Sequence, residues 1–118
     1  SSGYRYAGSG ASYSGGSPTV YGYGSNTSTA QILLTNSDVG NTANEGVSGH
    51  IFIYKPHLAM NCHTLGNFSG ADGLGFPFSC TVAGHNTAAA DVDAVRLLWS
   101  SGNFEDRGTV NLYGIKNN

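Results

Sequence analysis

Val47-Ser48-Gly49-His50-Ile51-Phe52-Ile53-Tyr54-Lys55 is the stretch on which the fold turns. Val47, Ile51 and Ile53 fall on one side of a two-residue period, and His50, Phe52 and Tyr54 fall on the other, which is the pattern of a β-strand. Pro56 ends it, because proline has no N–H to give to a ladder. The same grammar recurs on both sides. QILLT at 31–35 is a short apolar run bounded by turn residues. Residues 60–68 and 76–82 bracket a Gly-rich loop at 69–75, and residues 94–99 and 109–115 bracket a second loop at 101–108. Strands at this spacing with Gly-rich turns predict an all-β domain, an antiparallel sandwich or barrel. The one helical candidate is a single turn at 87–93, capped by Asn86 or Thr87.

Composition supports this class and removes others. The chain has 118 residues and a mass of 12.2 kDa, enough for one domain with one core. Gly, Ser, Asn and Thr make up 52 of those residues, and only 10% are charged. Gly disfavours helix interiors, and Ser, Thr and Asn compete with the helix for backbone hydrogen bonds, so a helical bundle is excluded. Thirteen aromatic side chains and an apolar fraction of 39% exclude a disordered linker. The formal net charge is −2, and Arg5, Lys55, Arg96, Arg107 and Lys116 form no basic patch in sequence, which argues against nucleic-acid binding. No apolar run approaches the ~20 residues of a spanning helix, so membrane insertion is not expected. The chain opens without Met or a signal-peptide pattern and reads as a mature product or a fragment of something longer.

Residues 1–30 read differently from residues 31–118. They are Gly- and Ser-rich with recurring Tyr and few aliphatic residues, so the expected organisation is an extended arm followed by a β-domain. A free linker has no use for rings, so Tyr4, Tyr6, Tyr13, Tyr21 and Tyr23 are expected to lie against this domain, a neighbouring subunit or a ligand, with subunit contact favoured over a sugar platform. Tyr21 and Tyr23 can also belong to a first short strand. The two cysteines suggest a register. A hairpin centred on Ala71 sets Cys62 opposite Cys80, Thr64 opposite Phe78 and Phe68 opposite Leu74. The cysteine Cβ atoms would then stand about 4.5–5.5 Å apart, as a disulfide or as a buried thiol pair.

Catalytic and metal chemistry find little footing. His50, His57, His63 and His85 lack convergent zinc spacing, and Cys62 and His63 point to opposite faces of any strand. Asp91 and Asp93, with Asn86 nearby, offer oxygen ligands for calcium, but a capped turn explains them more simply. No Gly-x-Ser-x-Gly occurs, and the seven acids are dispersed rather than paired across a cleft. The expectation is a protein without enzymatic activity, cofactor or metal. Asn26-Thr27-Ser28 and Asn67-Phe68-Ser69 match the glycosylation acceptor, as chance allows in so Asn- and Ser-rich a chain. The surplus is aromatic. Trp99 sits on the alternation with Val95 and Leu97 and reads as a core residue, while Tyr side chains suit both interfaces and sugar faces.

The C-terminal stretch from Val95 to Lys116, VRLLWSSGNFEDRGTVNLYGIK, resembles the end of many bacteriophage virion proteins. In those a strand enters Ser-x-Gly-x-Phe and is followed by a Leu-Tyr-Gly-Ile strand. The matching residues are Ser101, Gly102, Asn103, Phe104, Gly108, Thr109, Leu112, Tyr113, Gly114 and Ile115. The resemblance is close over about twenty residues and loose over roughly 30–115. It implies a jelly-roll-like β-sandwich on a tail fibre, tailspike, baseplate or capsid surface, often trimeric, and it brings no catalytic residue. The function expected is a tail-fibre or spike module that docks on host-surface carbohydrate through Tyr54, Trp99, Asn103 and Tyr113. A capsid cement or decoration protein, bound to other virion proteins through residues 1–30, is the alternative. A secreted lectin or carbohydrate-binding module with an oxidised Cys62–Cys80 bond is a further one.

Overall fold

A computed structural model describes residues 3–28, 31–102, 104 and 108–115. Five strands form one antiparallel sheet: β1 (Tyr4–Ser14), β2 (Ser17–Ser28), β3 (Gly46–Tyr54), β4 (His63–Ala71) and β5 (Pro77–Asn86). The order across the sheet is β2-β1-β5-β4-β3, so β2 and β3 are its edges. The all-β antiparallel class expected from the sequence is the class observed. The described residues hold no second sheet. Residues 31–40 lie over one face of the sheet where a sandwich would place its other layer.

The covered face is built from large rings seated on glycines. Across the sheet one row runs Tyr21, Gly10, Cys80, Phe68, Gly49, and the next runs Tyr23, Gly8, Val82, Gly66, Ile51. A methyl group added at Gly10 would stand 2.7 Å from Tyr21 Cζ, and one at Gly66 would stand 2.7 Å from Phe68 Cε2. The missing Cβ atoms are therefore the room the rings occupy, a pairing known to stabilise glycine in sheets. On β5 the alternation is strict: Phe78, Cys80, Val82 and Gly84 are buried, and the residues between Phe78 and Gly84 are exposed. The cover is tied on by hydrogen bonds. The Leu34 carbonyl accepts from Tyr23 Oη at 2.9 Å and from Cys80 Sγ at 3.4 Å, and Tyr21 Oη meets Ser37 Oγ at 3.2 Å. Ile32 fills the space over Gly84.

Several expectations are corrected here. Residues 4–28 are not an arm: they form the β1–β2 hairpin, and β1 lies between β2 and β5 inside the sheet. Gly and Ser predominate there because alternate positions must clear rings on one face and stay small on the other. Tyr6, Tyr21 and Tyr23 accordingly pack within their own sheet, with Tyr6–Tyr23 ring centroids 6.4 Å apart, while Tyr13 stands exposed near the hairpin tip. The QILLT run is a covering segment rather than a strand, and residues 87–93 form no helix. Residues 94–99 and 109–115, expected as strands, belong to no strand of the sheet.

The cysteine register also differs. The β4–β5 hairpin turns through Asp72, Gly73, Leu74 and Gly75, which sets Phe68 opposite Cys80 and Thr64 opposite Gly84. Cys62 lies just before β4, where its carbonyl accepts from Asn86 N–H at 3.1 Å. The two buried thiols are free, six positions apart along the ladder or roughly 20 Å. They donate to different carbonyls, Cys62 to Tyr54 and Cys80 to Leu34. They are not a pair.

A single covered sheet makes a thin core. Among the described residues the buried hydrophobic side chains are Cys62, Phe78, Cys80 and Val82. The chain exposes 8461 Å², whereas a self-contained monomer of 12.2 kDa exposes about 6,100 Å². Its radius of gyration is 15.4 Å, against about 13–14 Å for a compact domain of this length.

Candidate functional site

The uncovered face of the sheet presents its side chains in ordered rows. Because directly opposed residues on neighbouring strands point the same way, the register fixes each row. The first is Arg5, His85, His63, Tyr54, and the second is Ala7, Ala83, Leu65, Phe52. The third is Ser9, Thr81, Asn67, His50, and the fourth is Ala11, Ser79, Ser69, Ser48. Two shallow depressions follow these rows. One of about 620 Å³ lies over Ser9, Ser48, His50, Asn67, Ser69 and Thr81. The other, about 780 Å³, lies over Arg5, Asn26, His63 and His85.

The third row is a connected polar chain. Thr81 Oγ1 donates to Asn67 Oδ1 at 2.6 Å, and Asn67 Nδ2 lies 3.5 Å from His50 Nε2. This fixes the amide so that its remaining donor and acceptor capacity faces solvent. His50 is itself held edge-on against Phe52, with centroids 5.2 Å apart, and Phe52 continues to Tyr54 at 6.4 Å. An apolar ring line thus borders a row of hydroxyl, amide and imidazole groups. In the first row the His63 and His85 rings stand 5.2 Å apart beside Arg5, a set of N–H donors suited to an acidic or hydroxylated ligand.

Among the described residues no three His, Cys, Asp or Glu side chains converge as a metal set. His50 is opposite Asn67, and Asp91 and Asp93 are exposed outside the strands. The strongest perturbations are of groups on the covered face: burial pushes the Cys62 and Cys80 thiols up, and burial with Cys80 beside it pushes the Tyr23 hydroxyl up. All three are held in their neutral forms by the core, away from the open face.

Of the residues expected to form a ligand platform, Tyr54 belongs to the sheet, and Trp99 and Tyr113 do not. Tyr54 is on β3 at the margin of the open face. Trp99 lies off the sheet, where its ring partner is Phe104 at 5.1 Å. Tyr113 is exposed in the C-terminal segment, and Asn103 lies outside the described residues. Sequence reading missed Ser9, Asn67, Ser69, Ser79 and Thr81. The signal was present in β5, where Phe78-Ser79-Cys80-Thr81-Val82 alternates apolar with small polar residues.

Comparison with protein-family models, with curated proteins and with solved structures finds no match to this chain.

Proposed function

We propose that this chain is a non-enzymatic module of a bacteriophage particle, a tail-fibre or spike domain working as a homotrimer, whose open sheet face binds host-surface carbohydrate. The observation that carries the binding reading is the Ser9–Thr81–Asn67–His50 row bordered by Phe52 and Tyr54. Sugars present alternating hydroxyls and apolar C–H faces. A flat row of short polar side chains satisfies the hydroxyls, and exposed rings take the C–H faces. The virion assignment rests on the resemblance of residues 95–116 to phage particle proteins, and the trimer on that resemblance together with the excess exposed surface.

A glycan and host-envelope array probed with the full chain tests this reading. Competable binding that falls at least tenfold in Asn67→Ala and Thr81→Ala supports it, and binding unaffected by both substitutions overturns the site. A second reading, a capsid cement or decoration protein, is favoured by the exposed apolar side chains of Val110, Leu112, Tyr113 and Ile115, which offer a surface for assembly. An array on which the chain binds nothing, with retention on purified capsids, selects that reading.

A further inference from the structure

The unpaired C-terminal segment and the bare edge of β3 are complementary, and the geometry points to strand donation: residues 108–115 of one copy add as a sixth strand to the outer edge of β3 in another. The inference deepens the homo-oligomer of the proposed function and rests on that reading.

The donor is a segment with the side-chain pattern of a strand but no place in the sheet. Residues 108–115, Gly108-Thr109-Val110-Asn111-Leu112-Tyr113-Gly114-Ile115, belong to no strand and pair with none of the described residues. Val110, Leu112, Tyr113 and Ile115 are 70%, 91%, 80% and 79% exposed. Val110 and Leu112 share one side of the two-residue period, and Tyr113 and Ile115 share the other. A strand with apolar residues on both faces is suited to burial, and left in water it costs solubility.

The acceptor is chosen by contrast between the two edges. Edge strands are normally blunted by charge, proline or a bulge. At β2, Pro18 and the register shift opposite Tyr4 and Tyr6 do this. Along β3 from Gly46 to Tyr54 there is no charged residue, no proline and no register break. The chemistry of its two faces also matches the donor: Val47, Ile51 and Ile53 lie on the covered side, and Phe52 and Tyr54 on the open side. Eight donor residues span about 26 Å and nine acceptor residues about 30 Å, so the lengths agree. The excess of about 2,400 Å² of exposed surface is of the size that obligate interfaces bury. Donation from each copy to the next is a heterologous contact, which makes a trimer when three successive rotations close the ring.

The Val92 N–H donates to the Pro56 carbonyl at 2.8 Å, so the segment leaves the sheet beside the end of β3. Return of the segment onto its own β3 is therefore the competing arrangement, and the test separates the two. Full-length chains labelled with ¹³C and ¹⁵N are refolded with unlabelled chains, and isotope-filtered NOE spectra are recorded alongside the mass by light scattering. The same mass measurement is made on full-length Val110→Asp/Leu112→Asp, whose altered side chains are solvent-exposed in the single chain and leave the sheet fold intact by circular dichroism.

Strand donation predicts intermolecular NOEs between residues 108–115 and 46–54. It also predicts assembly weakened at least a hundredfold in the double variant. An oligomer that survives the double substitution without such NOEs overturns strand donation and leaves the homo-oligomer standing. NOEs between these segments within one chain only, or between two β3 strands, overturn it as well. A wild-type chain that is monomeric overturns both this inference and the oligomeric part of the proposed function.

Discussion

The Leu34 carbonyl shows how single groups hold this thin fold. It accepts from both the Tyr23 hydroxyl and the Cys80 thiol, joining β2, β5 and the covering segment at one oxygen. Tyr23→Phe removes the shorter bond and is expected to cost about 1 kcal/mol in a denaturant titration, since the thiol still partners the carbonyl. Glycine positions divide sharply by what a methyl would meet. Gly10→Ala drives Cβ to 2.5 Å from the Ser79 carbonyl and is expected to cost about 1–3 kcal/mol. Gly73→Ala enters open space and should stay within about 0.5 kcal/mol in the same titration. The raised Cys80 thiol fixes a pH dependence. Below about pH 9, the thiol's ordinary value, both folded and unfolded chains hold the proton and its contribution is intact. Above it the unfolded chain releases the proton first and binds fewer protons than the folded chain, so stability falls as pH rises. Melting temperature measured from pH 7 to 10 should decline, and Cys80→Ala should flatten the decline.

At the scale of elements, turn chemistry sets the registers. The β1–β2 hairpin turns on Gly15 and Gly16, with φ of 61° and 86°, between the paired Ser14 and Ser17. Both positions need the left-handed region that a two-residue hairpin of this kind demands. The β4–β5 turn is held by Asp72, whose Oδ1 accepts from Leu74 and Phe76 N–H at 2.9 Å each. Asp72→Ala is expected to cost about 1–2 kcal/mol by thermal or chemical denaturation, by orphaning two turn donors. That turn also explains what the sequence hid. The period of residues 47–55 made β3 legible, and the apolar alternation of residues 76–82 made most of β5 legible. A turn centred on Ala71 paired Cys62 with Cys80 only because the Asp72 side-chain bonds, which shift the pivot to Leu74, cannot be read from cysteine spacing. β1 escaped notice, and β2 was legible only as a short strand at Tyr21 and Tyr23, because their core face alternates rings and glycines, a pattern that composition cannot tell from a Gly/Ser linker. The open face was illegible for a related reason: Ser9, Ser79, Thr81 and Asn67 are unremarkable singly and form a row only once the register is known.

On the scale of the whole molecule, one sheet face is covered by the chain's own residues 31–40 and the other is open. One edge is guarded and the other bare, and the final apolar segment has no partner among the described residues. An isolated sheet with so few buried side chains is marginal, so its stability should depend on protein concentration if copies complete one another. Only 10% of the residues are charged, and the donor and acceptor strands carry no charge between Gly108 and Ile115 or between Gly46 and Tyr54. Assembly is therefore expected to change little between low and high salt, as measured by sedimentation, in contrast to an interface of ion pairs. The measurement that bears most directly on this account is the solution mass of the full-length chain across a hundredfold dilution. The account predicts a species of three times 12.2 kDa that gives way to 12.2 kDa chains on dilution. A 12.2 kDa monomer that keeps its folded signal at every concentration would contradict it.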